Sequence, residues 1–140
     1  MIKEMLEWFE KHNKFSWLIT ILIAIIIFYV SSLTFKIMPS EGFPWKPIAY
    51  HFYAFLFLSV FLLISLTKGK NKKLILISFI IVIFYGITDE FHQLFVPSRA
   101  FAISDILIDS AGILFAGLIY ILLKYDDFKQ PIQEIEESYY

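Results

Sequence analysis

The chain of 140 residues contains no cysteine. That absence excludes disulfides, thiolate metal sites and cysteine nucleophiles, and it leaves the redox compartment unread. There is also no surplus of positive charge: 12 Lys and Arg stand against 13 Asp and Glu, for a formal net charge of -1. A nucleic-acid partner is excluded on that ground, because nothing neutralises a run of phosphates. What the chain does have is apolar surface. Hydrophobic residues make up 59% of it, with 16 Phe and 8 Tyr, and the mean hydropathy is +0.70. Soluble domains carry roughly 45 to 50% apolar residues. Here the excess comes in long blocks without helical or strand alternation, which is the pattern of lipid-facing helices.

Four such blocks are legible, with no internal repeat and no second domain. The first runs from Phe15 to Phe35, long enough at about 1.5 Å per residue to cross a hydrocarbon core of about 30 Å. A signal peptide is the competing reading, but the block exceeds an ordinary h-region and Ser31-Ser32-Leu33-Thr34-Phe35 leads into Lys36 without a small-residue cleavage site. The second block spans Ile48 to Leu66 and ends at Lys68, Lys70, Lys72 and Lys73. A third starts at Leu74 and ends near Pro97, and a fourth runs from Asp105, with Ser104 as its N-cap, to Leu123. The expected fold class is therefore an all-α membrane protein, a four-transmembrane-helix bundle over residues 15–124. Residues 1–14 read as an amphipathic segment lying on the membrane surface or as a solvated leader. Residues 125–140 read as a mobile acidic tail.

Orientation follows from the basic residues, since short loops rich in Lys and Arg stay cytoplasmic. Lys3, Lys11, Lys14, the four lysines between the second and third blocks, Lys124 and Lys129 fall on one side, and Lys36, Lys46 and Arg99 on the other. Both termini are expected in the cytoplasm, with loops 36–47 and 95–104 outside. The expected location is the cell membrane, as a multi-pass protein whose partner is the bilayer.

Ionisable groups at membrane depth cost about 3 kcal/mol each, so they gather where a bundle interior or wet cavity receives them. Here the topology brings them to one level. His51 lies at the outer start of the second span, Asp89 to Gln93 at the outer end of the third, and Asp105 and Asp109 at the outer start of the fourth. Tyr85, Asp89, His92 and Gln93 fall at i, i+4, i+7 and i+8, one stripe on the third helix, with Glu90 about 100° to the side. Asp105, Asp109, Gly112 and Ala116 form the facing stripe, its two small residues permitting close helix approach. His51, Asp89, His92, Asp105 and Asp109 are expected to converge in one pocket. Singly, each has a structural reading as a helix-end or interfacial residue. Together, four acids and Arg99 leave negative charge that must take up protons, bind a cation or meet a basic group.

Imidazole and carboxylate in this set suit a divalent metal ion, with Asp89 and His92 at the i, i+3 spacing that helical bundles use. Ser104 and Ser110 offer a weaker Ser-His-Asp reading, as neither sits on a strained elbow.

The stretch Tyr85-Gly86-Ile87-Thr88-Asp89-Glu90-Phe91-His92-Gln93-Leu94-Phe95-Val96-Pro97-Ser98-Arg99, followed by Ser104-Asp105, Asp109 and Gly112, resembles the signature of VanZ-like membrane proteins. Lys46 and His51-Phe52 are similar to that family's Lys and His-Phe at its second helix. The chain departs from the pattern at Phe55, where Tyr is usual, and at Ser98, where Gly often precedes the Arg. The resemblance implies a small membrane protein of the cell envelope, with a link to teicoplanin resistance and no settled reaction.

Two functional classes fit these residues. In the first, a lipid-linked or amphiphilic molecule is engaged at the outer leaflet, with Arg99 and Lys46 meeting an anionic head group and Tyr85 and Gln93 beside it. In the second, a metal-dependent hydrolase or transferase acts on such a lipid, with His51, Asp89, His92, Asp105 and Asp109 on the ion and Glu90 and His92 in acid–base roles. Proton passage is disfavoured, because the first two spans carry no charged relay below His51.

Overall fold

In the computed structural model the described residues are 1–34 and 45–137, those from 129 onward as backbone alone. They form five helices and no strand: α1 (Ile2–Lys11), α2 (Asn13–Ser31), α3 (Trp45–Thr67), α4 (Lys73–Gln93) and α5 (Ile103–Glu137). Helices α2, α3 and α4 have 19, 23 and 21 residues, and 26 residues of α5, Ile103–Phe128, are apolar enough to continue as a span. The shortest of these is about 28 Å long at 1.5 Å per residue. Four helices can therefore cross a bilayer, and their even number puts both ends of the chain at one membrane face.

Helix α3 is the centre of the bundle, packing most extensively against α5, then α2, then α4. At Gly112 helices α3 and α5 meet through their backbones. A Cβ there would collide with the carbonyl oxygen of Phe52 and stand 3.2 Å from the Leu56 nitrogen, so α5 lies backbone to backbone on α3. Ala116, one turn on, is fully buried. Below them Ile27, Phe55, Leu58, Leu62, Val82 and Ile113 form the apolar core. Outward positions on every span are large and apolar, among them Leu22, Ile25, Leu76, Phe84 and Leu118, as a lipid solvent requires.

Several boundaries differ from expectation. Helix α2 ends at Ser31, before Phe35, and α4 ends at Gln93, before Pro97. The second span begins at Trp45, three residues earlier than Ile48. Helix α5 starts at Ile103, with Asp105 N–H bonding the Ala102 carbonyl at 3.1 Å. Ser104 is therefore inside the helix and not its N-cap, and its hydroxyl donates to Asp105 Oδ1 at 3.2 Å. At its other end α5 runs past Lys124 to Glu137. Lys124 is buried there and pairs with Glu10 of α1 at 3.0 Å and with Asp127 one turn on, and Lys3 reaches Asp127 at 3.0 Å. These contacts give the extra turns a partner. Loop residues 35–44, including Lys36, lie outside the described residues.

Helix α1 is amphipathic. Its Leu6 is buried against Leu63, Ile64, Ile75 and Tyr120, while Met5 and Trp8 stay exposed. Glu10 holds it to the bundle: Tyr120 donates to Glu10 Oε1 at 2.9 Å and shares a hydrogen bond with Thr67. Gly69, at φ +68°, lies directly against the Glu10 carboxylate, where a Cβ would clash, and its left-handed backbone suits glycine.

Candidate functional site

The polar site lies at the membrane face opposite the termini, where α3 starts, α4 ends and α5 starts. His51 is its centre and is 3% exposed. Its Nδ1–H donates to Asp109 Oδ1 at 3.0 Å, since a carboxylate only accepts. Its Nε2 faces Asp105 Oδ2 at 3.6 Å, too long for a hydrogen bond. The imidazole is thus held from one side and presented to a carboxylate on the other.

Glu90 is fully buried. Its Oε2 accepts the Ala102 N–H at 3.0 Å and its Oε1 accepts Gln93 Nε2 at 2.9 Å. Gln93 also donates to Asp89 Oδ2 at 3.2 Å. Among the described residues, one oxygen of each of two further carboxylates has no hydrogen-bond partner, Asp89 Oδ1 and Asp109 Oδ2, and neither does the Tyr50 hydroxyl. Asp89 and Asp109 are 5% and 2% exposed. Asp109 Oδ2 faces Gly86, where a Cβ would stand 3.4 Å away. Ligand atoms of His51, Glu90 and Asp105 lie within 4.8 Å of one another, so these three residues can share a cation.

Helical geometry explains which expected residues meet. The buried arc of α4 carries Val82, Gly86, Asp89, Glu90 and Gln93. At about 100° per residue its middle falls near Gly86 and Gln93, not on the Tyr85 to Asp89 line. Glu90, expected to the side, is therefore inside, and His92 is at the rim. His92 turns to α2 instead, its Nε2 3.0 Å from the Ser32 hydroxyl and its ring stacked on Phe28. Tyr85 likewise leaves the site, donating to the Ala24 carbonyl at 2.6 Å. His51, Asp105, Asp109, Asp89 and Gln93 do come together, and His92 and Tyr85 do not join them.

Arg99 is half-buried on the α4–α5 loop. Its Nη2 donates to the Val30 carbonyl at 3.3 Å and its Nε reaches the Leu33 carbonyl at 3.4 Å, which pins the loop to the end of α2. It is within electrostatic reach of Tyr50, as is Asp89. Lys46 is exposed on the first turn of α3, its Nζ 5.8 Å from the Trp45 ring. Sequence reasoning missed Tyr50, the neighbour of His51, and the Ala102 N–H that fixes Glu90. The adjacency of Tyr50 to His51 was the available signal for the first; the second depends on the loop path, which no local pattern encodes.

Tyr50 also lines an apolar groove. A groove of about 450 Å³ between α2 and α3 is lined by Ile23, Ile26, Ile27, Tyr50, Tyr53 and Phe57. It is apolar along its length and has Tyr50 at its upper end.

Comparison with curated proteins and with solved structures gave no match to this chain. The family model described as VanZ/LLP1 matches residues 15–124. That range covers the four spans, apart from Asn13 and Lys14 and the end of α5 beyond Lys124, and includes every residue of the polar site; on this match the chain belongs to the VanZ/LLP1 family.

Proposed function

We propose that this VanZ-like protein engages a lipid-linked or amphiphilic molecule at the outer leaflet of the cell membrane, its polar part at the His51 site and its apolar part in the groove between α2 and α3. The observation that carries the reading is the pair of buried carboxylate oxygens, on Asp89 and Asp109, that have no partner among the described residues. A buried unpaired acceptor costs about 1 to 3 kcal/mol, and a packing role alone gives no return for that cost. An amphiphile with hydroxyl, amide or amine donors supplies what the two oxygens lack. Arg99 and Lys46 stand on the same membrane face for an anionic head group. The outer-leaflet assignment rests on the distribution of Lys and Arg, which favours cytoplasmic termini.

The test is an Asp89→Asn, Asp109→Asn double variant in a susceptible host. The resemblance to VanZ-like proteins implies teicoplanin resistance as the phenotype. Wild type is expected to raise the teicoplanin concentration needed to stop growth and the variant, made at equal level, to leave it at the vector value. Equal protection by both contradicts the proposal.

A second reading, a metal-dependent hydrolase or transferase on a lipid or lipid-linked substrate, is favoured by one specific arrangement. The Asp109–His51 hydrogen bond orients Nε2 towards Asp105 and Glu90, as carboxylates behind metal-bound histidines do. His51, Glu90 and Asp105 would hold the ion, and a divalent ion there supplies Lewis-acid polarisation of a phosphoryl or acyl oxygen. Asp89, with one oxygen free, is the residue placed to take a proton. Elemental analysis of protein purified in mild detergent separates the readings: one equivalent of metal, lost in His51→Ala, supports the enzyme, and none supports ligand engagement alone.

A further inference from the structure

At the opposite end of the bundle, the junction of α1 and α2 and the loop after α3 line an open cavity of about 540 Å³, bordered by Lys11, His12, Asn13, Lys14, Phe15 and Lys68. A neighbouring hollow adds Lys70 beside Glu7 and Glu10. Glu10 is already committed to Lys124 and Tyr120. Lys11, Lys14, Lys68 and Lys70 make no ion pair among the described residues, which leaves four ammonium groups against the one remaining carboxylate of Glu7. We infer that this is a binding site for the phosphate head group of an anionic phospholipid in the leaflet on the side of the termini.

The lysines come from two segments that are fixed to each other. Asn13 donates to the Ser65 carbonyl at 2.6 Å, and the Glu10 carboxylate rests on Gly69. Lys68 itself is held at φ +50°, a left-handed conformation uncommon outside glycine, so the loop is shaped to turn back towards α1. The occupant is a lipid and not free phosphate because of what continues from the cavity. Phe15 forms its wall, and Phe15, Leu18, Leu22 and Ile25 are all exposed. Their spacing of three, four and three residues puts them on one stripe of α2, an apolar track for an acyl chain running into the bilayer. Trp8, exposed and stacked on His12, marks the interfacial level. Basic hollows at helix ends on a membrane face are suited to anionic head groups.

The experiment uses the full chain in nanodiscs of phosphatidylcholine with 10% fluorescent phosphatidylglycerol, reading energy transfer from the native tryptophans. The pocket variant is Lys11→Gln, Lys14→Gln, and its control is Lys72→Gln, Lys73→Gln, which removes the same charge outside the cavity. Transfer in wild type is expected to fall on dilution with unlabelled phosphatidylglycerol and not with phosphatidylcholine or inorganic phosphate. The pocket variant is expected to weaken that competition by about fivefold per lysine removed, with the control unchanged. All four lysines are exposed, so folding, checked by circular dichroism, is expected to be retained. Equal weakening in both variants overturns the inference in favour of diffuse surface charge, and equal competition by inorganic phosphate overturns the lipid assignment. An unchanged pocket variant removes the site altogether.

Discussion

Asp109 and His51 show how one residue pair carries both cost and use. Each is buried, and among the described residues the 3.0 Å bond between them is the single hydrogen bond of either side chain. Replacing Asp109 by Asn keeps an acceptor for His51 Nδ1–H while removing charge, so unfolding in detergent is expected to shift by no more than about 1 kcal/mol. His51→Ala instead leaves Asp105 and Asp109 facing each other unpaired and is expected to cost about 3 kcal/mol. Adding Asp109→Asn to His51→Ala is expected to recover part of that loss, a coupling that a double-mutant cycle of thermal melts measures. Strict additivity of the two changes contradicts the pairing.

At the scale of elements, α4 and α5 depend on glycine in unequal ways. A Cβ at Gly112 meets the backbone of Phe52, which cannot move without the helix, whereas one at Gly86 meets the Phe55 ring at 3.1 Å, which can turn. Gly112→Ala is therefore expected to destabilise by about 2 to 3 kcal/mol and Gly86→Ala by about 1 kcal/mol, read as midpoints of denaturant unfolding in micelles. The reverse order contradicts the packing described. Much of this level was legible beforehand. The spans, Gly112 with Ala116 and the meeting of His51 with Asp105 and Asp109 all follow from block length, small-residue spacing and topology. The rotation of α4 was not, because a stripe read as Tyr85, Asp89, His92 and Gln93 differs by only about 60° from the true buried arc. That small angle exchanges His92 for Glu90. The clamp of Glu10, Tyr120 and Lys124 was equally hidden, since it joins residues more than 100 positions apart and Lys124 alone reads as a flanking charge.

For the whole molecule, the absence of cysteine makes topology directly measurable. Single Glu4→Cys and Ala100→Cys variants, both at exposed positions, are expected to differ on intact cells: a membrane-impermeant maleimide labels Cys at 100 and reaches Cys at 4 only after lysis. The opposite pattern reverses the orientation and moves the site to the cytoplasmic leaflet. Whichever face it occupies, the buried carboxylates of α4 and α5 are the proposed hold on an amphiphile. Native mass spectrometry of the protein extracted from its own membrane tests this most directly. The account predicts a discrete bound mass on wild type that is lost from Asp89→Asn, Asp109→Asn protein of unchanged melting temperature, and the same bound mass on both proteins would contradict it.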